Sequence, residues 1–314
     1  MDEQRASYVP IICIGEALID RVSQDGHIQD FVGGSVLNVA AGLAALHHDT
    51  HLASWWADDD YGHLIDNFTS ASGVHVLPAS RGGSHTTIAH ATIDSAGHAR
   101  YSFDLEWQVP PIDSLEDFAH LHIGSYAATL TPGFDRISQI IRAFSHIGTI
   151  SYDPNIRPSI MGEIHHVRSQ VESHIGYATV VKASDEDLSW LYPGRDLIET
   201  MNDWLDRGPD LVVITCGKEG ALIAHTSTSA YQVDAFPTIV GDTVGAGDSF
   251  MAGLISGLIK AGALGADPSL ALSHASREEL SSAIMTALAT SSLTVSKIGA
   301  YAPSRDEISH IMHL

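Results

Sequence analysis

Cysteine is scarce in this sequence: the 314 residues contain two, Cys13 and Cys216, each within an apolar run. They form no CxxC pair, so there is neither a disulfide framework nor a thiolate zinc site. Long apolar runs are also lacking, since none approaches the roughly 18 residues of a membrane-spanning helix. The polar segment 1–10 has no charged-then-apolar signal pattern. We therefore expect a cytoplasmic chain that does not enter a membrane.

Basic residues are the second shortage. Lys and Arg number 16 against 38 Asp and Glu, which gives a formal net charge of −22 at pH 7. A surface with this charge repels nucleic acids and anionic membranes, so we expect neither as a partner. An anionic substrate must then be held by backbone dipoles and a few local cations.

The composition is that of a folded chain, with 44% hydrophobic and 17% charged residues. Short apolar runs predict strands at 9–14, 52–55, 86–93, 99–105, 121–124, 148–152, 179–182, 211–215 and 221–225. Helical periodicity predicts helices at 34–46, 61–72, 133–144, 164–174, 197–207, 246–261 and 277–293. This alternation is typical of an α/β fold with a central, mainly parallel sheet and helices on both faces.

The two runs at 86–93 and 99–105 depart from that rhythm. They alternate or are rich in β-branched residues, and Asp94–Gly97 between them predicts a hairpin turn. They are either additional edge strands or a small flap over a site. Since no repeat, low-complexity tract or linker divides the sequence, we predict a single α/β domain over 1–314 with this β-rich appendage.

Glycines open the predicted helix at 246–261. The segment GAGD at 245–248 places small residues and a carboxylate at a helix N-terminus, whose free N–H groups bind anions. Phosphoryl transfer requires such positioning and one carboxylate that accepts a hydroxyl proton. The same pattern is typical of ordinary helix capping, so by itself it leaves both interpretations open. The sequence has no GxxxxGKS/T, which excludes a Walker-type nucleotide site.

Five segments together carry a family resemblance. DTVGAGDSF at 242–250 resembles the C-terminal signature of the ribokinase/PfkB family of carbohydrate kinases. GGSVLNVA at 33–40 is similar to its N-terminal Gly-Gly signature, and GEALID at 15–20 to the end of its first strand. DPNIRP at 153–158 and KASDED at 182–187 resemble mid-chain segments of its fructokinase branch. The order and spacing match over nearly the whole chain.

The resemblance implies a ribokinase-like fold and an ATP-dependent sugar kinase. The fold would consist of the central sheet and a small β-sheet lid, with lid strands at about 20–33 and 86–108. Mg²⁺ would arrive with ATP and keep most of its waters. Because lids of this family pair chains in some members, a homodimer through the lid is a further expectation.

The resemblance also implies catalytic and sugar-binding positions. Asp248 matches the catalytic base, and Gly245, Ala246 and Gly247 match the anion hole. The sugar-binding positions are Asp20, Gly34, Ser35, Asn38, Asn155, Arg157 and Asp248. Ser35 stands where ribokinase-like members carry Lys, which favours the fructokinase branch over a ribose kinase.

Nucleotide and cation positions follow in the same way. The nucleotide-binding positions are Lys182, Ser184, Asp187, Thr215, Gly217, Gly220, Gly245 and Gly247. Ser184 and Asp187 replace the family's usual Asn and Glu and also form a capping-box pattern, so a water-mediated Mg²⁺ role for Asp187 competes with capping. Asp242, Val244 and Gly299 match positions that hold a monovalent cation such as K⁺.

Fructokinase, which transfers the ATP γ-phosphate to the 6-hydroxyl of D-fructose, is the leading interpretation. A 2-keto-3-deoxygluconate kinase is the nearest alternative, because the Asp-x-Asn-x-Arg segment occurs there too and Arg157 would reach a carboxylate. The lid segment 85–108 has one arginine, Arg100, which favours a neutral sugar.

Two further alternatives stay open. A nucleoside kinase needs an aromatic slot for the base, for which Trp55, Trp56 and Trp107 are available. A non-catalytic sugar-binding protein on the same fold would be expected to lose Asp248 or the glycines before it, and all of these are present.

Overall fold

Nine strands form one sheet and four form another in the part of the chain that the computed structural model describes, residues 9–24, 27–93, 99–266 and 272–313. The strands are β1 (Ile11–Ile14), β2 (Leu18–Gln24), β3 (His27–Gly33), β4 (Thr50–Ala53), β5 (His75–Val76), β6 (Ile88–Ile93), β7 (Ala99–Asp104), β8 (His120–Gly124), β9 (Thr149–Asp153), β10 (Val180–Ser184), β11 (Leu211–Thr215), β12 (Ala221–His225) and β13 (Thr228–Val233). The helices are α1 (Ser35–Ala45), α2 (Asp60–Ser72), α3 (Gly133–Phe144), α4 (Pro158–Met161), α5 (Ile164–Ile175), α6 (Asp185–Leu191), α7 (Leu197–Leu205), α8 (Ala246–Lys260), α9 (Arg277–Val295) and α10 (Arg305–Met312).

The large sheet has the order β13-β12-β11-β10-β9-β8-β1-β4-β5. Its strands pair in parallel from β5 to β11, and β12 and β13 add two antiparallel pairings at one edge. All four residues of β1 are buried, as expected for a central strand of a parallel sheet covered on both faces. One face packs against α1, α8 and α9, and the other against α3, α5 and α7.

The small sheet has the order β3-β2-β6-β7 and forms the lid. Two antiparallel pairs, β2 with β3 and β6 with β7, are joined by parallel pairing of β2 with β6. The edge strand β3 exposes Ile28 and Phe31. The runs that break the strand–helix rhythm therefore belong to a separate sheet.

Predicted and observed bounds agree closely where apolar periodicity is strong. The predicted bounds of α3, β11 and β12 are those observed. The strand predicted at 52–55 lies instead at Thr50–Ala53, because pairing with β1 in the register Ile11↔Thr50 sets its ends. Asp94–Gly97, the predicted hairpin turn, and the side chain of Arg100 lie outside the described residues. Within the described ranges, no helix is both long enough and apolar enough to cross a membrane.

Candidate active site

The carboxyl ends of the parallel strands meet the N-termini of α1 and α8 at one edge of the large sheet. Ligands of open α/β sheets bind at this edge. The loop after β1 leads into the lid, and β3 returns directly to the start of α1. The lid and the two helix starts are thereby brought to the same cleft.

Asp248 lies in the first turn of α8 and is buried. Its Oδ1 accepts a hydrogen bond from the Ser35 hydroxyl at 2.7 Å, and its Oδ2 accepts one from Asn38 Nδ2 at 2.8 Å. Asn155 Nδ2 donates in turn to Ser35 Oγ at 2.7 Å. Three predicted sugar-binding residues therefore form one hydrogen-bonded group with the predicted base, although Ser35 and Asp248 are 213 residues apart in sequence.

A buried ion pair lies next to this first turn. Lys182 Nζ is 2.7 Å from Asp153 Oδ2 and donates to the Gly247 carbonyl at 3.4 Å. Burial acts to lower the pKa of Lys182, but the carboxylates of Asp153, Asp187 and Asp248 outweigh it, so the pKa is raised. Burial raises the pKa of Asp153 to about 6, with Lys182 acting against this shift. A cation is thus held against the segment predicted to bind the moving phosphoryl group.

Asp20 lies on lid strand β2, and Gly33 ends the paired strand β3. A Cβ on Gly33 would lie 2.1 Å from Asp20 Oδ2, so the missing side chain makes room for the carboxylate. Burial raises the pKa of Asp20 to about 6, while the charge of Arg157 lowers it and that of Asp248 raises it. Asp20 is therefore within electrostatic range of the predicted base, on the lid side of the cleft.

The chain enters α1 through a close approach to the segment that follows β1. Gly34 has a φ of 116°, which L-residues rarely adopt, and its Cβ would lie 2.4 Å from the Glu16 carbonyl oxygen. The Ser35 N–H donates to Glu16 Oε1 at 3.2 Å. Burial raises the pKa of Glu16 to about 7. Glu16 was not among the predicted site residues, and its carboxyl group supports the backbone that presents Ser35.

We expect Glu16→Gln to stabilise the folded chain at pH 8 by about 1–3 kcal/mol. A carboxyl group whose pKa is raised on folding holds its proton more tightly in the folded chain than in the unfolded chain. Its ionisation therefore destabilises the fold as the pH rises from 4.5 to about 7. Gln keeps an acceptor for the Ser35 N–H and carries no charge.

Urea unfolding of the Glu16→Gln and parent chains at pH 5 and pH 8 measures this difference. The gain in the free energy of unfolding should be full at pH 8 and should shrink towards zero at pH 5. An equal gain at both pH values, or a loss at pH 8, would contradict the assignment of a buried, charged Glu16.

Arg157 follows Asn155 in the loop after β9 and is exposed. Its guanidinium donates to the backbone carbonyls of Asn155 and Ile156, at 3.3 and 3.0 Å. The charge of Arg157 acts on Asp20 and Glu16 and lowers the pKa of each. This cation therefore lies towards the lid side of the cleft, close enough to influence both carboxylates.

Ser184 and Asp187 form the capping box of α6. Ser184 Oγ accepts from the Asp187 N–H at 3.0 Å, and Asp187 Oδ2 accepts from the Ser184 N–H at 2.8 Å. Asp187 Oδ1 also accepts from the Ile156 N–H at 2.8 Å. The capping interpretation is thus confirmed, and each carboxylate oxygen keeps a second lone pair. The water-mediated Mg²⁺ role of Asp187 stays a prediction.

The predicted nucleotide loop lies between β11 and β12. Thr215 ends β11, and the Cys216 N–H donates to the Gly220 carbonyl at 2.8 Å, which closes a tight turn. Gly217 and Gly220 both have positive φ, 51° and 88°. The loop therefore presents backbone groups beside the carboxyl end of β10.

Asp242 links the two other predicted cation-binding residues, Val244 and Gly299, by hydrogen bonds. Its Oδ1 accepts from the Val244 N–H at 3.1 Å and its Oδ2 from the Gly299 N–H at 2.9 Å. Burial acts to raise the pKa of Asp242, but the backbone N–H groups of Gly299, Val244 and Thr243 outweigh it and hold the pKa below its ordinary value. Beside this contact, the side chains of Ile239, Val240, Val244 and Ile298 are exposed.

Three residues that shape this site are missing from the sequence-predicted set: Glu16, Gly33 and Asp153. All three lie inside the quoted motifs, so the segments were found and the individual roles were not. Their partners are Ser35, Asp20 and Lys182, which lie on other elements.

Comparisons with known proteins identify a family for most of this chain. The sequence profile of the pfkB family carbohydrate kinases matches residues 10–307. A fructokinase of Rhizobium leguminosarum bv. trifolii is 31% identical over 260 residues, which cover 79% of this chain and 79% of that protein.

Two solved structures have the same fold. A fructokinase double mutant from Vibrio cholerae O395, in its fructose-, ADP- and potassium-bound form, matches with a TM-score of 0.78 at 22% identity, over 97% of this chain and 98% of that one. Aminoimidazole riboside kinase from Salmonella enterica, complexed with aminoimidazole riboside and an ATP analog, matches with a TM-score of 0.78 at 22% identity, over 96% and 99%. These likenesses confirm the predicted ribokinase-like architecture. Because the family profile takes in both sheets and every residue of the site described above, the chain is a member of the pfkB family of carbohydrate kinases.

Proposed function

We propose that this chain is an ATP-dependent fructokinase that phosphorylates the 6-hydroxyl of D-fructose. The observation that carries the proposal is the buried carboxylate of Asp248, hydrogen-bonded to Ser35 and Asn38 at the start of α8. The 31% identity to the Rhizobium fructokinase supports the choice of sugar.

Asp248 is the general base in this proposal. Each carboxylate oxygen accepts one hydrogen bond in the structure and has a further lone pair for the sugar hydroxyl. The donors Ser35 and Asn38 fix the carboxylate plane before substrate arrives, which reduces the cost of reaching a reactive geometry. As the sugar oxygen attacks phosphorus, its proton passes to Asp248 and the bond to the ADP oxygen breaks.

The first turn of α8 receives the charge of the moving phosphoryl group. Gly245, Ala246 and Gly247 are too small to obstruct an approaching phosphate. The Ala246 N–H donates to the Thr243 carbonyl at 3.2 Å, and the other N–H groups of a helix start lack intrahelical acceptors. Lys182 adds a buried cation next to Gly247. In a chain of net charge −22, this local arrangement offsets the repulsion of the nucleotide by the rest of the protein.

Asp20, Asn38, Asn155 and Arg157 bind the sugar in this proposal. Asp20 on the lid accepts sugar hydroxyls, and its pKa of about 6 leaves it ionised above that pH. Gly34 lets the sugar approach the backbone, and the half-buried Asn38 and Asn155 can both donate and accept. A site built around hydroxyl contacts strongly rejects analogues that lack those hydroxyls.

The nucleotide lies between the loop after β11 and the exposed apolar side chains near Val244 in this proposal. Thr215, Gly217 and Gly220 border it on one side, and Ile239, Val240 and Ile298 offer apolar surface for a base on the other. Ser184 and Asp187 lie at the next strand end.

The residues present fit both implied cations as hard oxygen donors. Mg²⁺ would be carried by the ATP phosphates with water, and Asp187 retains lone pairs for a metal-bound water. When bound, it neutralises phosphate charge. Asp242 and the carbonyls of the 242–244 and 299 segments, which the Asp242 hydrogen bonds hold together, suit K⁺. Equal rates in sodium-only and potassium buffers would contradict the K⁺ assignment.

A nucleoside kinase is the second candidate, because aminoimidazole riboside kinase has the same fold. The tryptophans give it little support. Trp56 and Trp107 are buried, Trp107 donates to the Ala127 carbonyl at 3.0 Å, and Trp55 donates to Glu106 at 3.2 Å.

We further propose a homodimer through the lid. Ile28 and Phe31 are exposed on the edge strand β3, whose free backbone groups can pair with a second strand. A monomeric mass by light scattering at assay concentrations would contradict it.

A coupled assay of ADP release tests the function. The panel is D-fructose, 2-keto-3-deoxygluconate, D-ribose and adenosine, each at matched concentration with ATP and Mg²⁺. We expect the largest kcat/KM with fructose. A larger value for another acceptor would replace fructose by that acceptor, and no turnover with any of them would favour a non-catalytic sugar-binding protein.

A further inference from the structure

Four polar side chains lie together in the interior of the large sheet. His120 and His122 on β8, and Thr149 and Ser151 on β9, are all fully buried. By register with β1 they lie on the face that packs against α1 and α8. Burying four polar groups costs free energy unless they are hydrogen-bonded. We therefore expect these side chains to be hydrogen-bonded to each other.

Hydrogen bonds link these four side chains in one continuous series. Thr149 Oγ1 is 2.8 Å from His120 Nδ1, His120 Nε2 is 2.9 Å from Ser151 Oγ, and Ser151 Oγ is 3.0 Å from His122 Nδ1. Burial lowers the pKa of each imidazole to about 3, so both rings are neutral and each has one N–H donor and one acceptor nitrogen.

One backbone N–H group determines which atom donates in each hydrogen bond of this series. The Gly265 N–H donates to Thr149 Oγ1 at 3.0 Å. The Thr149 hydroxyl proton then has one acceptor among the described residues, His120 Nδ1. His120 therefore carries its proton on Nε2 and donates to Ser151, and Ser151 donates to His122 Nδ1. His122 must carry its own proton on Nε2.

The hydrogen-bond series ends at His122, next to the Lys182–Asp153 ion pair of the candidate active site. His122 Nε2 is a buried donor, and Asp153 Oδ1 a buried acceptor, and neither has a hydrogen-bond partner among the described residues. They lie on the same face of adjacent strands, because His122 pairs with Ser151 and Asp153 is two residues further along β9. The charge of Lys182 contributes to the lowered pKa of His122, in agreement with this placement by register.

We propose that His122 is a positioning residue for phosphoryl transfer: its Nε2–H, through one bridging water molecule, holds the carboxylate of Asp153 and thereby holds Lys182 against Gly247. A buried polar site with a donor and an acceptor to satisfy is where proteins retain internal water. The inference rests on the kinase function proposed above, and it assigns to His120 and His122 a role in keeping the cation of Lys182 beside Gly247.

The charged neighbours of Asp153 show why a further hydrogen-bond donor from His122 would stabilise its carboxylate. Asp153 is faced by Lys182 on β10, by Asp187 on α6 and by Asp248 on α8, while His122 is faced by His120 and Lys182, and His120 by His48. Two of these neighbours are carboxylates that disfavour the ionised form of Asp153. A second hydrogen-bond donor on Oδ1 counteracts them.

The acid limb of the pH–rate profile tests this assignment. In His122→Phe, Asp153 loses a donor to its charged form, so it should protonate about one pH unit higher. Because protonated Asp153 no longer holds Lys182 against Gly247, kcat should begin to fall at a correspondingly higher pH, although the base Asp248 is unchanged. KM for the sugar should stay within about twofold, because His122 lies within the sheet and is not one of the proposed sugar-binding residues. An unchanged acid limb in the folded variant would overturn the proposal.

Two variants separate this effect from a packing defect. His122→Gln keeps an N–H donor near the position of Nε2 and should restore the parent acid limb. His174→Phe alters another buried histidine, which bonds to the Ala128 carbonyl on the opposite side of the sheet, and should leave the midpoint unchanged. A shift in His174→Phe equal to that in His122→Phe would count against a specific role for His122.

The tautomer of His122 in the parent chain gives a test that does not require turnover. Nitrogen-15 NMR of histidine-labelled protein, assigned with His122→Gln, should show neutral Nε2–H tautomers for His120 and His122 down to pH 5. An Nδ1–H tautomer or an imidazolium at His122 would overturn the proposal. Failure of the fructokinase proposal would appear separately, as absent turnover of D-fructose by the parent chain or a larger kcat/KM with another acceptor.

Discussion

Asp248→Asn is expected to lower kcat by about 10²–10⁴-fold while KM for the sugar changes by no more than a few-fold. Asn has the shape of Asp and can still bond to Ser35 and Asn38, so the sugar site should survive. It has no basic oxygen that can take the hydroxyl proton in the transition state. Steady-state kinetics with saturating ATP measures both constants.

The matched control is Asp306→Asn. It makes the same chemical change in the first turn of α10, at an exposed position outside the residues assigned to the site. This variant should keep the parent rate. A kcat for Asp248→Asn within tenfold of the parent value would contradict the assignment of the base.

Gly33→Ala is expected to lower kcat/KM for the sugar by about 10²-fold, mainly through KM. The added Cβ would lie 2.1 Å from Asp20 Oδ2, and a backbone Cβ cannot move aside, so the carboxylate must leave its position. Asp20→Ala, which removes the carboxylate, should cause a similar loss. Initial rates at limiting sugar measure the effect.

A double-mutant cycle tests whether Gly33 acts through Asp20. In an Asp20→Ala background, Gly33→Ala should cost little more, because the group that it displaces is gone. Gly176→Ala is the matched control, since its Cβ would lie no closer than 3.7 Å to another atom. Full additivity of Gly33→Ala and Asp20→Ala would show that Gly33 has a different role.

Periodicity predicted the layers of this fold well because they depend on local apolar patterns. The runs at 211–215 and 221–225 form β11 and β12 with the predicted bounds. The strand β13 and the helix α10 were not predicted. Thr228–Val233 has no continuous apolar run, and its pairing with β12 identifies it as a strand.

The lid illustrates the limit of local patterns. The sequence indicated unusual strands near 86–105 and left their place open between an edge extension and a flap. Their placement depends on parallel pairing of β6 with β2, about 70 residues earlier, and no short-range signal encodes such a contact. Resemblance to a family supplied that information, and the separate four-stranded sheet agrees with it.

The site was predictable at the level of motifs and less so at the level of contacts. The rule that ligands bind at the carboxyl edge brought Asp248 together with Asn38 and Asn155. Lys182 was predicted as a nucleotide ligand, and the structure adds that its ammonium is buried against Asp153. Such pairings depend on which strands are neighbours, which the sequence does not state.

The buried histidines were the least predictable feature. His122 lies within the apolar strand predicted at 121–124, and His120 lies directly before it, in the observed strand His120–Gly124. Their partners Thr149 and Ser151 lie on a strand 29 residues further along the chain, so neither segment alone indicates a hydrogen-bonded chain. Polar residues that alternate on two adjacent buried strands are the signal that would have found them.

The most direct test of the account is the identity of the product made from D-fructose labelled with carbon-13 at C6. NMR of the reaction with ATP and Mg²⁺ should show a phosphoester whose phosphorus couples to the labelled carbon. The parent chain and Asp306→Asn should form it, and Asp248→Asn should form it at least about a hundredfold more slowly. A phosphoester at another carbon, ADP release without any phosphoester, or equal product from Asp248→Asn would contradict the account.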